Sequence, residues 1–126
     1  MKYRTVKVIG IAAALAAFSA PALADGDVEA GKKVFNKCKA CHTLDEGKNK
    51  VGPSLFGVLG RSAASVQGFK YSKALKESGL TWDEETIEKF LATPKDLVPG
   101  TRMAFAGLKK DDDIENVLAY IKANGG

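Results

Sequence analysis

The sequence predicts a small all-α domain with three main helices, a few short ones and long connecting loops. Apolar residues recur at helical spacing in three separate segments. The sustained alternation of β-branched residues that indicates strands is absent. The segments between the helices are rich in glycine, proline and lysine. A compact domain with this much loop needs something at its centre to hold the loops in place.

Each predicted helix has its own sequence signals. The first is expected over 27–37, with small and apolar residues on one face. The second begins at Thr81, because 81–84 fits a capping box, and it ends before Pro94. The third covers 112–123 and follows acidic residues that a helix N-terminus favours. A short helix is also expected over 72–78.

The first 24 residues have the features of an export signal. Basic residues at Lys2, Arg4 and Lys7 precede an apolar run over 8–20, and 22–24 matches a small-x-small cleavage site. Cleavage after Ala24 would leave one domain over 25–126, located in the periplasm and without stable membrane insertion. The alternatives are a buried helix and an uncleaved segment that tethers the protein, although the run is shorter than the about 20 residues of a typical span.

The charge of the chain depends on this signal. The whole sequence contains 19 basic and 15 acidic residues, a net charge of +4. Without the signal, 16 basic and 15 acidic residues remain. The remaining sequence has no basic tail and no basic stripe interleaved with aromatic residues. It therefore gives no support for nucleic-acid binding.

Cys38, Cys41 and His42 form a Cys-x-x-Cys-His motif, which is typical of covalent haem attachment. Each thiol adds to one vinyl group of the haem, and the adjacent imidazole binds the iron. A thioredoxin-like redox pair would need a βαβ context, and a zinc site would need further ligands. A simple disulfide is the remaining alternative. His42 is the only histidine of the chain.

The spacing of residues leaves the second axial ligand open. Met103 is the only methionine outside the predicted signal, and it lies in the turn-rich segment 99–107. A methionine in such a loop can reach the face of the haem opposite the histidine. The alternative is that Met103 fills a gap in the core, which is the usual role of an isolated methionine.

Taken together, these motifs resemble the class I c-type cytochromes, in particular mitochondrial cytochrome c and its soluble bacterial relatives. The resemblance extends over 25–123 and implies the small cytochrome c fold, wrapped around one haem c that is bound through two thioethers. It is carried by the Cys-x-x-Cys-His motif and by the segments 26–35, 52–55, 57–61, 68–71, 80–82 and 99–107.

The resemblance implies roles for individual residues. Met103 would be the axial sulfur ligand, and the Pro53 carbonyl would accept a hydrogen bond from His42. Arg61, Tyr71 and Trp82 would hold the haem propionates, and Thr101 would bind near the same edge. Without the resemblance, Tyr71 and Trp82 would be interpreted as plain aromatic core.

The resemblance also implies how the domain is packed and where it departs from its relatives. The first and last helices would cross at Gly31, with Phe35 and Tyr120 beside the crossing. Phe90 and Leu75 stand where mitochondrial proteins usually have a tyrosine and an asparagine. Both replacements make the methionine side of the haem less polar.

The function implied is that of a monomeric one-electron carrier, not an enzyme, between respiratory or photosynthetic membrane complexes. Its partners would be the acidic docking faces of an oxidase, a reaction centre or a quinol-oxidising complex. The basic residues expected to face them are Lys33, Lys37, Lys95, Arg102, Lys109 and Lys110. The rival hypothesis is a haem peroxidase or small-molecule-binding protein, which requires an open iron position.

Overall fold

A computed structural model of the chain describes Gly10 and residues 26–126. The predicted export signal lies, apart from Gly10, outside the described residues. Over 26–126 the structure has helices and one isolated bridge but no strand, so the predicted all-α class is confirmed. None of the helices in this range is both long and apolar enough to cross a bilayer. The helices are α1 Val28–Phe35, α2 Lys73–Glu77, α3 Glu84–Ala92, α4 Pro94–Leu97 and α5 Asp111–Ala123.

The first and last helices pack closely against each other. A Cβ atom at Gly31 would overlap the backbone carbonyl of Asn116 on α5, so only glycine allows this approach. The rings of Phe35 and Tyr120 lie beside the crossing, with their centroids 5.2 Å apart. The Asp27 N–H donates a hydrogen bond of 2.8 Å to Asn116 Oδ1 and fastens the start of α1. The predicted crossing at Gly31 is confirmed.

Helix α5 supplies the centre of the core. Ile114, Val117, Leu118 and Ile121 are all buried, as their helical spacing predicts, and Val117 has no exposed surface. Burial of an apolar side chain of this size stabilises the fold by about 2 kcal/mol. Two buried residues of α3 join the same cluster, Ile87 and Leu91.

The predicted start of the second helix is wrong by three residues. Helix α3 begins at Glu84 and is capped by Asp83, whose carboxylate accepts a 2.8 Å hydrogen bond from the Thr86 N–H. Thr81 does not cap the helix, because its backbone forms the isolated antiparallel bridge with Ser62. Pro94 follows the end of α3, as expected, and also begins α4, where the missing N–H of proline costs no helical hydrogen bond.

Helix α1 is shorter than the predicted 27–37. It ends at Phe35, whose carbonyl accepts hydrogen bonds of 2.8 and 3.0 Å from the N–H groups of Cys38 and Lys39. Val28, at the start of α1, is 38% exposed. The chain therefore leaves α1 through consecutive tight turns, and these turns contain the Cys-x-x-Cys-His motif.

Replacement of Gly31 tests the helix crossing. We expect Gly31→Ala to lower the free energy of unfolding by about 2 kcal/mol, because the added methyl group forces α1 and α5 apart. Chemical denaturation of the haem-loaded protein measures this change. At an exposed helical site the same substitution would stabilise the protein by about 1 kcal/mol, so stabilisation would contradict the close contact. Lys32→Ala, on the exposed side of α1, is the control and should change stability by less than about 0.5 kcal/mol.

Candidate haem-binding site

The two cysteines of the motif lie in the turn directly after α1. Both are half-buried, and the Cys41 N–H donates a 3.0 Å hydrogen bond to the Cys38 carbonyl. Burial raises the pKa of the Cys38 thiol; the neighbouring Cys41 raises this pKa further and Lys37 lowers it.

The imidazole of His42 is held in one orientation. Its Nδ1 atom lies 2.7 Å from the Pro53 carbonyl oxygen, as the resemblance implied. A carbonyl can only accept, so the proton resides on Nδ1 and the Nε2 lone pair is available to a metal. Burial lowers the pKa of His42; the hydrogen bond to Pro53 raises it and the charge of Arg61 lowers it. The neutral ring that results is the form that binds iron.

The backbone of Gly52 packs directly against the His42 ring, a role that the sequence analysis missed. A Cβ atom at this position would collide with the His42 ring, coming within 2.8 Å of Nε2. The Gly52 N–H also donates a 2.8 Å hydrogen bond to the Cys41 carbonyl, which joins the 50–53 segment to the motif. The glycine directly before Pro53 was the available signal, but its steric reason appears only in three dimensions.

Arg61, Tyr71 and Trp82 are positioned on the neighbouring segments. The backbone N–H of Trp82 donates a 2.8 Å hydrogen bond to the Arg61 carbonyl, next to the Ser62–Thr81 bridge. No sequence pattern indicated this pairing, because neither segment shows strand periodicity. Tyr71 and Trp82 are both buried. The Tyr71 hydroxyl oxygen accepts a 3.1 Å hydrogen bond from the Val66 N–H, so the hydroxyl hydrogen can serve another acceptor.

The guanidinium of Arg61 provides a test of whether the site fits a haem. Its Nη1 atom donates a 2.9 Å hydrogen bond to the Phe56 carbonyl, while Nε is buried and has no partner among the described residues. Burial lowers the pKa of Arg61 and Tyr71 raises it, but an arginine side chain stays charged. A buried cationic donor without an acceptor is costly. A haem propionate carboxylate would satisfy it, so the site fits the cofactor.

Thr101 and Met103 lie in the irregular segment 98–110, between α4 and α5. Met103 is half-buried, and its N–H donates a 3.3 Å hydrogen bond to Thr101 Oγ1. The Arg102 guanidinium donates a 3.2 Å hydrogen bond to the Lys70 carbonyl, so the segment is joined to the one that contains Tyr71. Among the described residues, no hydrogen bond links Met103 to His42 or to Pro53, which orients the histidine. Its role as an iron ligand stays a prediction.

Comparison with known proteins finds that the chain is similar to cytochromes c. The family model "Cytochrome c" matches residues 28–124. Cytochrome c-550 from Nitrobacter winogradskyi is 55% identical over 97 residues, which cover 76% of this chain and 89% of that protein. Cytochrome c-554 from Methylosinus trichosporium is 45% identical over 126 residues, with coverage of 99% and 96%. The solved structure of cytochrome cH from Methylobacterium extorquens matches with a TM-score of 0.73 and 46% identity, and covers 78% of this chain and 99% of that one.

The fold and the Cys-x-x-Cys-His turn are those of a class I c-type cytochrome. The chain belongs to the cytochrome c family, and the predicted family and fold are confirmed. Its cofactor is one covalently bound haem c, for which Cys38 and Cys41 have the required spacing. The similar proteins are cytochromes c-550, c-554 and c2, so electron transfer rather than catalysis is the activity that family membership supports.

Replacement of Gly52 tests the packing of its backbone against the His42 ring. We expect Gly52→Ala to lower the free energy of unfolding of the haem-loaded protein by about 2 kcal/mol, because the methyl group and the His42 ring compete for one space. Denaturant titration followed by haem absorbance measures the loss. Val51→Ala is the matched control, since Val51 is adjacent in sequence and 78% exposed. Equal effects of the two substitutions would contradict the proposed contact.

Proposed function

We propose that this protein is a periplasmic one-electron carrier whose haem iron is bound by His42 and Met103. It would shuttle electrons between respiratory or photosynthetic membrane complexes. The observation that carries the proposal is the 2.7 Å hydrogen bond from His42 Nδ1 to the Pro53 carbonyl, which leaves Nε2 available to the iron. When bound, haem c supplies an iron that alternates between Fe(II) and Fe(III).

Each axial residue contributes to electron transfer in a different way. The Pro53 carbonyl fixes the plane of the His42 imidazole and makes it a stronger donor. Met103 would occupy the opposite position, and a thioether ligand favours a higher reduction potential. With both positions filled by the protein, no substrate reaches the metal. This arrangement distinguishes a carrier from a haem peroxidase or a small-molecule-binding protein.

The remaining predicted residues would lie at the edge of the haem that carries the propionates and would donate hydrogen bonds there. The orphaned Nε of Arg61 and the free hydroxyl hydrogen of Tyr71 are donors without a described acceptor. The indole N–H of Trp82 and the hydroxyl of Thr101 would complete the group. Charge-assisted hydrogen bonds of this kind are roughly twice as strong as neutral ones, so they would hold the propionates in place.

Export is part of the proposal. The basic start, apolar run and small-x-small site of residues 1–24 support cleavage after Ala24, which leaves a domain over 25–126. Thioether attachment of haem outside the cytoplasm agrees with such a signal. The mature protein would then act as a monomer in the periplasm.

The six basic residues that the sequence analysis assigned to the partner-facing side are exposed, and they support docking to acidic partners. None of them forms a salt bridge with an acidic residue of the described chain, whereas Lys89 pairs with Glu85 and Lys122 with Glu84. Unpaired surface cations retain their full attraction for a partner, and this attraction accelerates encounter. We assign the docking surface for an oxidase, reaction centre or quinol-oxidising complex to Lys33, Lys37, Lys95, Arg102, Lys109 and Lys110, all exposed.

Absorption spectra of the protein purified from the periplasm test the axial ligands. We expect the oxidised form to show a weak band near the red edge of the visible range, which arises from methionine–iron ligation. Met103→Ala should abolish this band and allow rapid cyanide binding, because one axial position opens. Lys109→Ala, in the same segment, should leave the spectrum unchanged. A high-spin wild-type spectrum with rapid ligand binding would instead support the haem enzyme.

The ionic-strength dependence of electron transfer tests the docking surface. The second-order rate constant with an acidic partner should fall by about tenfold or more between low and high salt. Lys37→Gln should reduce this dependence, whereas Lys89→Gln removes the same charge outside the assigned surface and should change it much less. Stopped-flow kinetics measure both. A rate constant that is independent of salt would exclude electrostatic docking.

A further inference from the structure

We propose that Asn49 and Ser54 form a polar clamp that positions the Pro53 carbonyl on His42 and thereby helps to set the reduction potential. The inference rests on the proposed ligation of iron by His42. It concerns two residues that neither the motif nor the predicted propionate contacts include. Both act through another group, so they are positioning residues.

The clamp acts on a single peptide unit. The carbonyl of Pro53 and the N–H of Ser54 belong to the same planar peptide group. The carbonyl oxygen accepts from His42 Nδ1 at 2.7 Å, and the N–H donates to Asn49 Oδ1 at 3.0 Å. Because the group is rigid, a hydrogen bond that fixes the direction of the N–H also fixes the direction of the carbonyl.

Ser54 fixes the next part of the backbone from inside the protein. Its side chain is almost fully buried, with 2% of the residue exposed. The hydroxyl donates a 2.6 Å hydrogen bond to the Asp45 carbonyl and accepts a 3.2 Å hydrogen bond from the Phe56 N–H. A buried hydroxyl satisfied in both roles restrains its own rotamer and the backbone on either side. The rotation of the 53–54 peptide is thus restricted from the serine side.

Asn49 extends the restraint to a second loop. Its Nδ2 atom donates a 3.1 Å hydrogen bond to the Gln67 carbonyl, in the 62–71 segment that ends at Tyr71. One amide side chain therefore connects the loop that orients the histidine to the loop that carries a predicted propionate donor. Movement of either loop is transmitted to the Pro53 carbonyl.

The position of the Pro53 carbonyl affects how strongly the His42 imidazole donates electron density to the iron. A hydrogen bond at Nδ1 increases the electron density that the imidazole donates, and this density favours Fe(III). If the peptide unit rotates, the hydrogen bond lengthens and the histidine becomes a weaker donor. Loss of the clamp should therefore move the reduction potential to more positive values.

The test uses two variants of the haem-loaded protein, Asn49→Ala and Ser54→Ala. We expect both to raise the reduction potential and to accelerate exchange of the His42 Nδ1 proton about fivefold, as measured by NMR of the reduced protein. Asn49 is half-buried, so its variant remains informative if Ser54→Ala does not fold. The matched controls are Asn124→Ala and Ser78→Ala, because these side chains donate hydrogen bonds of 2.8 and 2.7 Å to the Tyr120 and Leu75 carbonyls, outside the clamp.

The outcomes separate the clamp from the proposed function. If the clamp variants lose stability but shift the potential and the proton exchange no more than the controls do, both residues are merely structural and the inference is overturned. If the wild-type protein lacks the spectrum of histidine–methionine ligation, the proposed function fails instead. A positive shift of the potential with faster exchange, in variants that keep the wild-type spectrum, supports the clamp.

Discussion

The close contact between α1 and α5 is the constraint on which the rest of the structure depends. It exists because Gly31 has no side chain and its backbone can approach Asn116. The contact fixes the end of α1, and the turns that follow hold Cys38, Cys41 and His42 in a compact unit. The position of the haem-attachment site therefore depends on the packing of two helices. Their contacting residues, Gly31 and Asn116, are 85 positions apart in sequence.

Around this frame, the irregular segments are held by polar contacts rather than by regular structure. Residues 42–56 are fixed by side-chain hydrogen bonds of Asn49 and Ser54, and the Ser62–Thr81 bridge holds Arg61 beside Trp82. A domain with few helices has limited apolar surface to bury. A covalent haem adds such surface at its centre, and its propionates would supply an acceptor for Arg61 Nε, which is buried and has no partner among the described residues.

The alternatives considered for the Cys-x-x-Cys pair differ in the surroundings that they require. A thioredoxin-like pair belongs in a βαβ unit, whereas residues 26–126 contain helices and one isolated bridge but no strand. A histidine that directly follows the second cysteine and donates its Nδ1 proton to a carbonyl is oriented as a metal ligand. Family membership and this orientation both support haem attachment.

The amino-acid sequence by itself determined the fold class, the burial of Ile114 and Val117 on α5, and the haem motif, because helical periodicity and motif spacing are local properties. Its prediction of a helix start at Thr81 was wrong, since pairing with Ser62 outweighed the local capping signal. Only the tertiary structure decided the contact of Gly52 with His42, the burial of Arg61 Nε and the link from Asn49 to Gln67. These features depend on segments that meet in space, and no pattern within one segment encodes such a meeting.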